Sequence, residues 1–428
     1  MNVLFVVPYA PTCIRTRSVN AIRALASNGH EVTVAALWNG EEEYGAVDAL
    51  RTQVSTVIER RLRPWRSTWN CLRALPGHEP LQAHYCWDPE FARDLVEAVR
   101  TTPFDIVHVE HLRGVRYASA IRDATARRSV QSIPVVWDSV DCITALFRHA
   151  ARDGASIQTR LTARLEAPRT ADYEGHCVSQ FRRVMVVAER DRRQLAELAD
   201  AWCRRHRVPC WPHDRIAVVP NAVDVDYFSP TSVPRDPLTL VITGKMSYHA
   251  NVTAVVRFVE DVMPLIWAQL PEVRLWIVGK DPAPQIRKLG VHVSEPWAQP
   301  FSSNGSRRSR VQITGTVPDI RPFLRRATVA VAPIRYGAGI QNKVLEAFAC
   351  GTPVVATPEA VTALGARHGT EMLVGASPRE LADGVVGLMR DPTRRAGLGE
   401  AARAFVLREH GRQALARSLA GVYREARG

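Results

Sequence analysis

The stretch PIRYGAGIQNKVLEAFACGTPVVA, residues 333–356, carries the reading of the fold. It follows an apolar run, 329–332, then passes through Gly337 and Gly339 before residues 342–349 read as a helix stopped by Gly351. A second apolar run, 354–356, closes the unit. Strand, glycine turn, helix and strand make a βαβ unit. The backbone N–H groups and positive dipole end at such a helix start attract an anion, and glycines let the anion approach the backbone closely. Lys343 adds charge in the first turn, and Glu346 lies one turn on, spaced to accept hydrogen bonds from sugar hydroxyls. The same residues also fit a helix start with solvated polar side chains.

Outward from this unit the pattern repeats. Residues 238–243 form a strand candidate ending at Gly244, 254–270 a helix bent near Pro264, 274–278 a strand stopping at Gly279, and 311–314 a strand followed by Gly315. The N-terminal half opens with the run 3–7, a loop over 8–17, and a helix carrying Val19, Ile22, Leu25 and Ala26 that ends at Asn28-Gly29; the run 31–37 follows. Later strand candidates are 106–109, 134–137, 184–187 and 216–219, with helices over 89–100 and 157–175. Strands that do not alternate in polarity are buried on both faces, which is the mark of a parallel sheet covered by helices. The expected fold is therefore α/β, with two Rossmann-like doubly wound domains at 1–230 and 238–404. The proline-rich segment 228–237 reads as the linker, and a last helix over 395–427 returns to the first domain from about residue 405. Ligands of open α/β sheets bind at the carboxyl ends of the strands, so the expected site is an interdomain cleft. The polar, Ser-rich stretch 292–310 reads as a surface insertion.

With 428 residues the chain has enough length for two cores, and 46% hydrophobic with 23% charged residues describes an ordinary globular protein. The net charge is +13, yet all but four of the 56 basic residues are arginine and they are scattered throughout, so a nucleic-acid module is not indicated. Eight cysteines show neither a Cys-x-x-Cys pair nor zinc spacing, which fits free thiols in a reducing cytoplasm. No segment reaches the roughly 18–20 apolar residues of a membrane span, so any membrane contact is expected to be peripheral, at the inner face.

The stretch 333–356 resembles the donor site of the retaining GT-B glycosyltransferases of family 4, where a Gly-rich loop leads into the block that here is Leu345-Glu346-Ala347, Ala349, Gly351 and Pro353-Val354-Val355-Ala356. Gly29-His30-Glu31-Val32, Pro220-Asn221-Ala222-Val223-Asp224, Val278-Gly279 and the segment from Gly315 to Asp319 resemble the same family, in the same order. Residues 244–251 and 339–347 are similar to a bacterial subgroup of sugar transferases from polysaccharide and secondary-metabolite pathways. The resemblance implies a metal-independent enzyme without a cofactor. It would move a hexosyl or related sugar, with retention, from a nucleoside diphosphate sugar of the UDP type to a hydroxyl acceptor on a glycan, a lipid-linked group or a natural product.

By that resemblance the donor contacts are Lys245, Asn251, Val317, Gly339, Ile340, Gln341, Asn342, Lys343, Leu345 and Glu346. The chemistry falls to Lys245 at the leaving diphosphate and to Glu110 and His111 at the sugar, with His108 competing for that place. Arg15, Arg17, His108 and Asp138 are the expected acceptor contacts, although Asp138 and Asp141 equally suit helix capping. Glu166 and Glu174 read as surface or interface ion pairs. Two departures stand out. The family's Glu-x7-Glu pair would place its first carboxylate at residue 338, which is Ala338, and the lysine of its Arg/Lys pair falls at Asn251, with Lys245 in place of the arginine. An epimerase of the same fold, which needs no acceptor, and a catalytically silent nucleotide-sugar-binding protein share this architecture.

Overall fold

Short runs of Val, Ile, Leu and Ala, closed by glycine or proline, become strands buried on both faces, and the computed structural model assembles them into two parallel sheets of seven. It describes residues 1–12, 15–126, 133–153, 157–210, 213–293, 297, 307–335 and 341–428. The first sheet holds β1 (Asn2–Val7), β2 (Glu31–Trp38), β3 (Thr56–Arg61), β4 (Ile106–Glu110), β5 (Val135–Val140), β6 (Arg183–Val186) and β7 (Ile216–Val218) in the order β3-β2-β1-β4-β5-β6-β7. The second holds β8 (Thr239–Thr243), β9 (Arg274–Val278), β10 (Val291–His292), β11 (Val311–Gly315), β12 (Val329–Ala332), β13 (Val354–Ala356) and β14 (Leu373–Val374), ordered β10-β11-β9-β8-β12-β13-β14. Helices join successive strands. The direction of strand addition reverses between β1 and β4 in one sheet and between β8 and β12 in the other, and these are the switch points where such sheets bind ligands.

Alternation along the second sheet feeds two cores at once. Val241, Trp276 and Ala330 pack into one, and their neighbours Leu240, Leu275 and Val329 into the other. Three strands escape the sequence reading for a physical reason. β3 is an edge strand of mostly half-buried, charged composition, while β10 and β14 have two residues each, too few to show a period.

The chain divides into two compact units, residues 1–221 with 412–428, and residues 222–411. The expected linker is corrected by this division, because 228–237 is bound into the second unit. Arg235 donates to the carbonyls of Ala327 (2.8 Å) and Gly351 (2.9 Å) and to Thr352 Oγ1 (3.0 Å), and Asp236 N–H donates to Arg326 C=O (2.6 Å). The expected last helix is two helices. Pro392–Glu409 belongs to the second unit and Arg412–Arg427 to the first, where Arg427 pairs with Asp105 at 3.0 Å. The helix bent near Pro264 is resolved into His249–Arg257, a wide π-helical turn Phe258–Val262, and Met263–Trp267. Proline lacks the N–H that would continue the regular ladder, so the turn opens just before it.

Glu166 and Glu174 are not surface ion pairs. Both are buried on the helix Ile157–Gln180, and Glu174 accepts the N–H of Ile143 (2.8 Å) and Thr144 (2.9 Å) together with the Thr144 hydroxyl. Those amides open the helix Ile143–Asp153, so a carboxylate some thirty residues away in sequence caps it. Glu166 accepts Leu81 N–H at 2.8 Å and lies 3.5 Å from Arg169. Most of the Ser-rich stretch 292–310 lies outside the described residues.

Candidate functional site

At and beside the switch point of the second sheet, three neighbouring strands end in glycines with positive φ: Gly244 (148°) after β8, Gly279 (151°) after β9, and Gly315 (73°) closing β11. Their backbones are tied together, Gly244 N–H to Val278 C=O at 3.1 Å and Gly279 N–H to Gly315 C=O at 3.2 Å. A β-carbon at 279 would lie 1.7 Å from the Gly244 carbonyl oxygen, so no other residue fits that approach. At 244 it would stand 3.0 Å from Asn251 Nδ2 and 3.3 Å from Lys343 Nζ. Glycine there leaves backbone exposed beside an ammonium group.

Lys343 reaches this place from the helix Asn342–Ala349, which begins on the β12 side of the switch point. Its Nζ donates to Asn251 Oδ1 at 2.6 Å, while Asn251, buried on the first turn of His249–Arg257, donates its Nδ2 to Lys245 C=O at 2.8 Å. Asn251 thus occupies the position where the resemblance expects a lysine and holds a lysine delivered from another helix. Burial lowers the Lys343 ammonium to about 8, and the nearby Glu346 carboxylate opposes that shift. Burial likewise raises Glu346 to about 7, opposed by Lys343. The helix start is preceded by Gln341, whose side chain makes no capping hydrogen bond. Polar N–H groups, a half-buried cation and a carboxyl one turn along are thereby gathered at the carboxyl ends of the strands, suited to an anion carrying hydroxyl groups.

The remaining donor candidates divide. Lys245 presents an exposed side chain directly after Gly244, and Val317 is partly buried two residues beyond Gly315. Leu345 is corrected: two positions from Lys343 on a 3.6-residue period, it turns to the opposite side and is wholly buried in the core, so its side chain is not available to a ligand. Gly339, Ile340 and Ala338 lie outside the described residues.

The first unit gathers its own polar cluster at its switch point. Glu110 ends β4 almost fully buried, accepting the hydroxyls of Tyr9 and Ser18 (2.8 Å) on Oε1, while Oε2 has no hydrogen-bond partner among the described residues. Burial, and then the charge of Asp138, raise it to about 7. His111 follows with φ 65°, half-buried, its Nδ1 accepting Arg113 N–H at 3.3 Å; enclosure and the cations Arg113 and Arg15 lower it to about 3. It is therefore neutral at pH 7. Tyr9 and Ser18 were not singled out in the sequence; the only signal was their position after β1, since their carboxylate partner lies about a hundred residues away.

His108, Arg17 and Asp138 do not present free side chains. Arg17, in the helix Thr16–Ser27 rather than the loop before it, donates Nε and Nη2 to Asp138 at 2.8 and 3.0 Å, and Nη1 to Val219 C=O (2.9 Å) and Asn221 Oδ1 (3.1 Å). Alternation along β4 turns His108 into the interior, stacked on Phe5 at 4.0 Å, its Nδ1 2.8 Å from Tyr423 Oη and its Nε2 3.7 Å from Asp138. Burial lowers it to about 4. Their expected acceptor contacts are replaced by a buried network of their own. Arg15 stays at the accessible rim, 3.1 Å from Glu43 and 4.6 Å over the Tyr9 ring. Among the described residues no group of three or more His, Cys, Asp or Glu side chains is gathered as a metal site.

Residues 237–391 match the model of the family described as glycosyl transferases group 1. No curated protein matches the chain by sequence. Among solved structures, Anabaena Alr3699/HepE in complex with UDP is similar at a TM-score of 0.61 with 13% identity, over 98% of this chain and 99% of that one. A glycosyltransferase from Rickettsia africae ESF-5 gives 0.60 with 14% identity over 99% and 98%, and sucrose-phosphate synthase from Thermosynechococcus elongatus 0.59 with 16% over 99% and 98%. The fold is GT-B. Seven parallel strands in each of two sheets, with helices between them, is the architecture these proteins share.

Proposed function

We propose that the chain is a retaining glycosyltransferase whose second unit holds a nucleoside diphosphate sugar of the UDP type and whose first unit presents a hydroxyl acceptor. The observation that carries the reading is the Lys343 ammonium group, held by Asn251 beside the bare backbone of Gly244 at the switch point of the second sheet. The family match over 237–391 and the UDP and UDP-glucose complexes of Alr3699/HepE support a donor of this kind. In this reading Lys343, Lys245 and the amides at the start of Asn342–Ala349 meet the charge that develops on the leaving diphosphate. Charge of this sort, fixed before the reaction, favours the transition state over the bound ground state. Glu346 accepts from the ribose, and Gln341 and Val317 lie along the nucleotide. Glu110 and neutral His111 face the sugar and acceptor, Arg15 touches the acceptor, and protein cations fill the part a divalent ion takes in other transferases.

The test is a panel of UDP-, GDP-, ADP- and dTDP-sugars, scoring nucleotide release with and without candidate hydroxyl acceptors and with EDTA. A donor should raise the melting temperature, and turnover should survive EDTA. Lys343→Met should lower kcat/KM about a hundred- to a thousandfold, the size of losing one preorganised charge contact. Absence of any thermal shift with millimolar nucleotide sugar would sink the donor site. Release of nucleotide that no acceptor accelerates would favour the epimerase or a hydrolytic activity.

A further inference from the structure

The helix Pro64–Ala74 buries Ser67 and Ala74 on one side and leaves the opposite stripe uncovered. Trp65 and Trp69 are 57% and 54% exposed, and Leu72 and Leu75 continue the stripe. The helix Ile157–Gln180 repeats the arrangement over its first turns, where Ile157, Leu161 and Leu165 recur at four-residue spacing and Leu165 is 71% exposed. The two stripes adjoin. Arg169, one turn beyond Leu165, donates to the Leu75 carbonyl at 3.0 Å. Scattered apolar side chains are normal on a surface, but two tryptophans and five aliphatic side chains on adjoining helical stripes form a patch that calls for an occupant.

The charge carried by the two stripe-bearing segments has one sign. Segments 63–75 and 157–165 contain Arg63, Arg66, Arg73, Arg160 and Arg164 and no aspartate or glutamate. Of these, Arg66 pairs with Asp88 at 3.1 Å. An isologous contact between two copies would set this cationic face against itself. An anionic surface would be attracted. Tryptophan rings settle at the boundary between headgroups and acyl chains, and arginine lays its stem along apolar surface while its guanidinium reaches phosphate. No described helix is long and apolar enough to cross a membrane. We infer that this face of the first unit docks on an anionic lipid bilayer, with Trp65, Trp69 and Leu165 entering the interface and the arginines binding lipid phosphates.

Vesicle binding is measured without donor or acceptor, so it is independent of the transferase reading. The full chain, mixed with phosphatidylglycerol or phosphatidylcholine vesicles, should co-sediment with the former at least about tenfold more tightly, and salt should weaken that binding. Trp65→Ser/Trp69→Ser and, separately, Arg160→Ser/Arg164→Ser should each lower it by about tenfold, while the unfolding transition of both variants stays in place because the replaced side chains are exposed. Equal binding to both lipids, or binding indifferent to both double substitutions, overturns the inference. So does a dimer, seen by light scattering, that the tryptophan variant dissolves and that leaves vesicles unbound.

Discussion

Lys343 stands on one helix and does its work against another, its ammonium 2.6 Å from Asn251 and its ordinary value lowered to about 8 by burial. Below that pH it is a cation; above it the charge is lost. Affinity for UDP, followed by calorimetry from slightly acid to alkaline solution, should therefore fall as pH rises through about 8, and Lys343→Met should be weaker throughout and lack that step. A methionine variant that keeps the step would assign it to another group. Arg17 makes the opposite case, a cation spent on structure. Arg17→Ala would strand the buried Asp138 carboxylate and should cost about 3–5 kcal/mol in denaturant unfolding, whereas Arg15→Ala, at the rim beside Glu43, should change stability by less than about 1 kcal/mol. An unchanged unfolding curve with a raised acceptor KM for Arg17→Ala would restore its acceptor role. From residue types alone the two arginines, two positions apart, could not be told apart. What separates them is which side of a helix start each occupies and whether a carboxylate waits there.

Among the elements, the strand ends of the second sheet are the most constrained. Gly279 approaches Gly244 so closely that Gly279→Ala combines a forbidden backbone conformation with a collision, and it should destabilise the protein by about 3 kcal/mol or more, measured by thermal unfolding. Gly45 has nothing within 4 Å of an added β-carbon, and Gly45→Ala should leave the melting temperature unchanged or slightly raised. Most buried strands and the helix Asn342–Ala349 were legible because an apolar run followed by glycine is a local signal. Leu345 shows the limit of motif transfer: its place in the sequence block suggested a donor contact, but helical periodicity directs it into the core. The cap supplied by Glu174 to Ile143–Asp153 was hidden, since only packing brings that carboxylate to those amides.

For the whole molecule, the last helix, Arg412–Arg427, belongs to the unit that begins the chain. Tyr423 supplies the hydrogen bond at Nδ1 of His108 across 315 residues, so Tyr423→Phe should cost about 1–3 kcal/mol by leaving that buried imidazole nitrogen unpaired. Removal of residues 412–428 should unfold the first unit while leaving 222–411 able to bind UDP, which limited proteolysis and calorimetry would show together. The sequence by itself determined the α/β class, most strand and helix positions, the glycine-preceded helix start at Asn342 and the absence of a spanning segment among its apolar runs. These follow from periodicity, glycine stops and composition, which act over a few residues. Tertiary structure alone decided that 228–237 is bound rather than free, that Asn251 receives Lys343, that Arg17 pairs with Asp138 and His108 with Tyr423, and that two helical stripes adjoin. Those outcomes depend on which buried charge or hydrogen-bonding group finds a partner, and the partners lie tens to hundreds of residues apart.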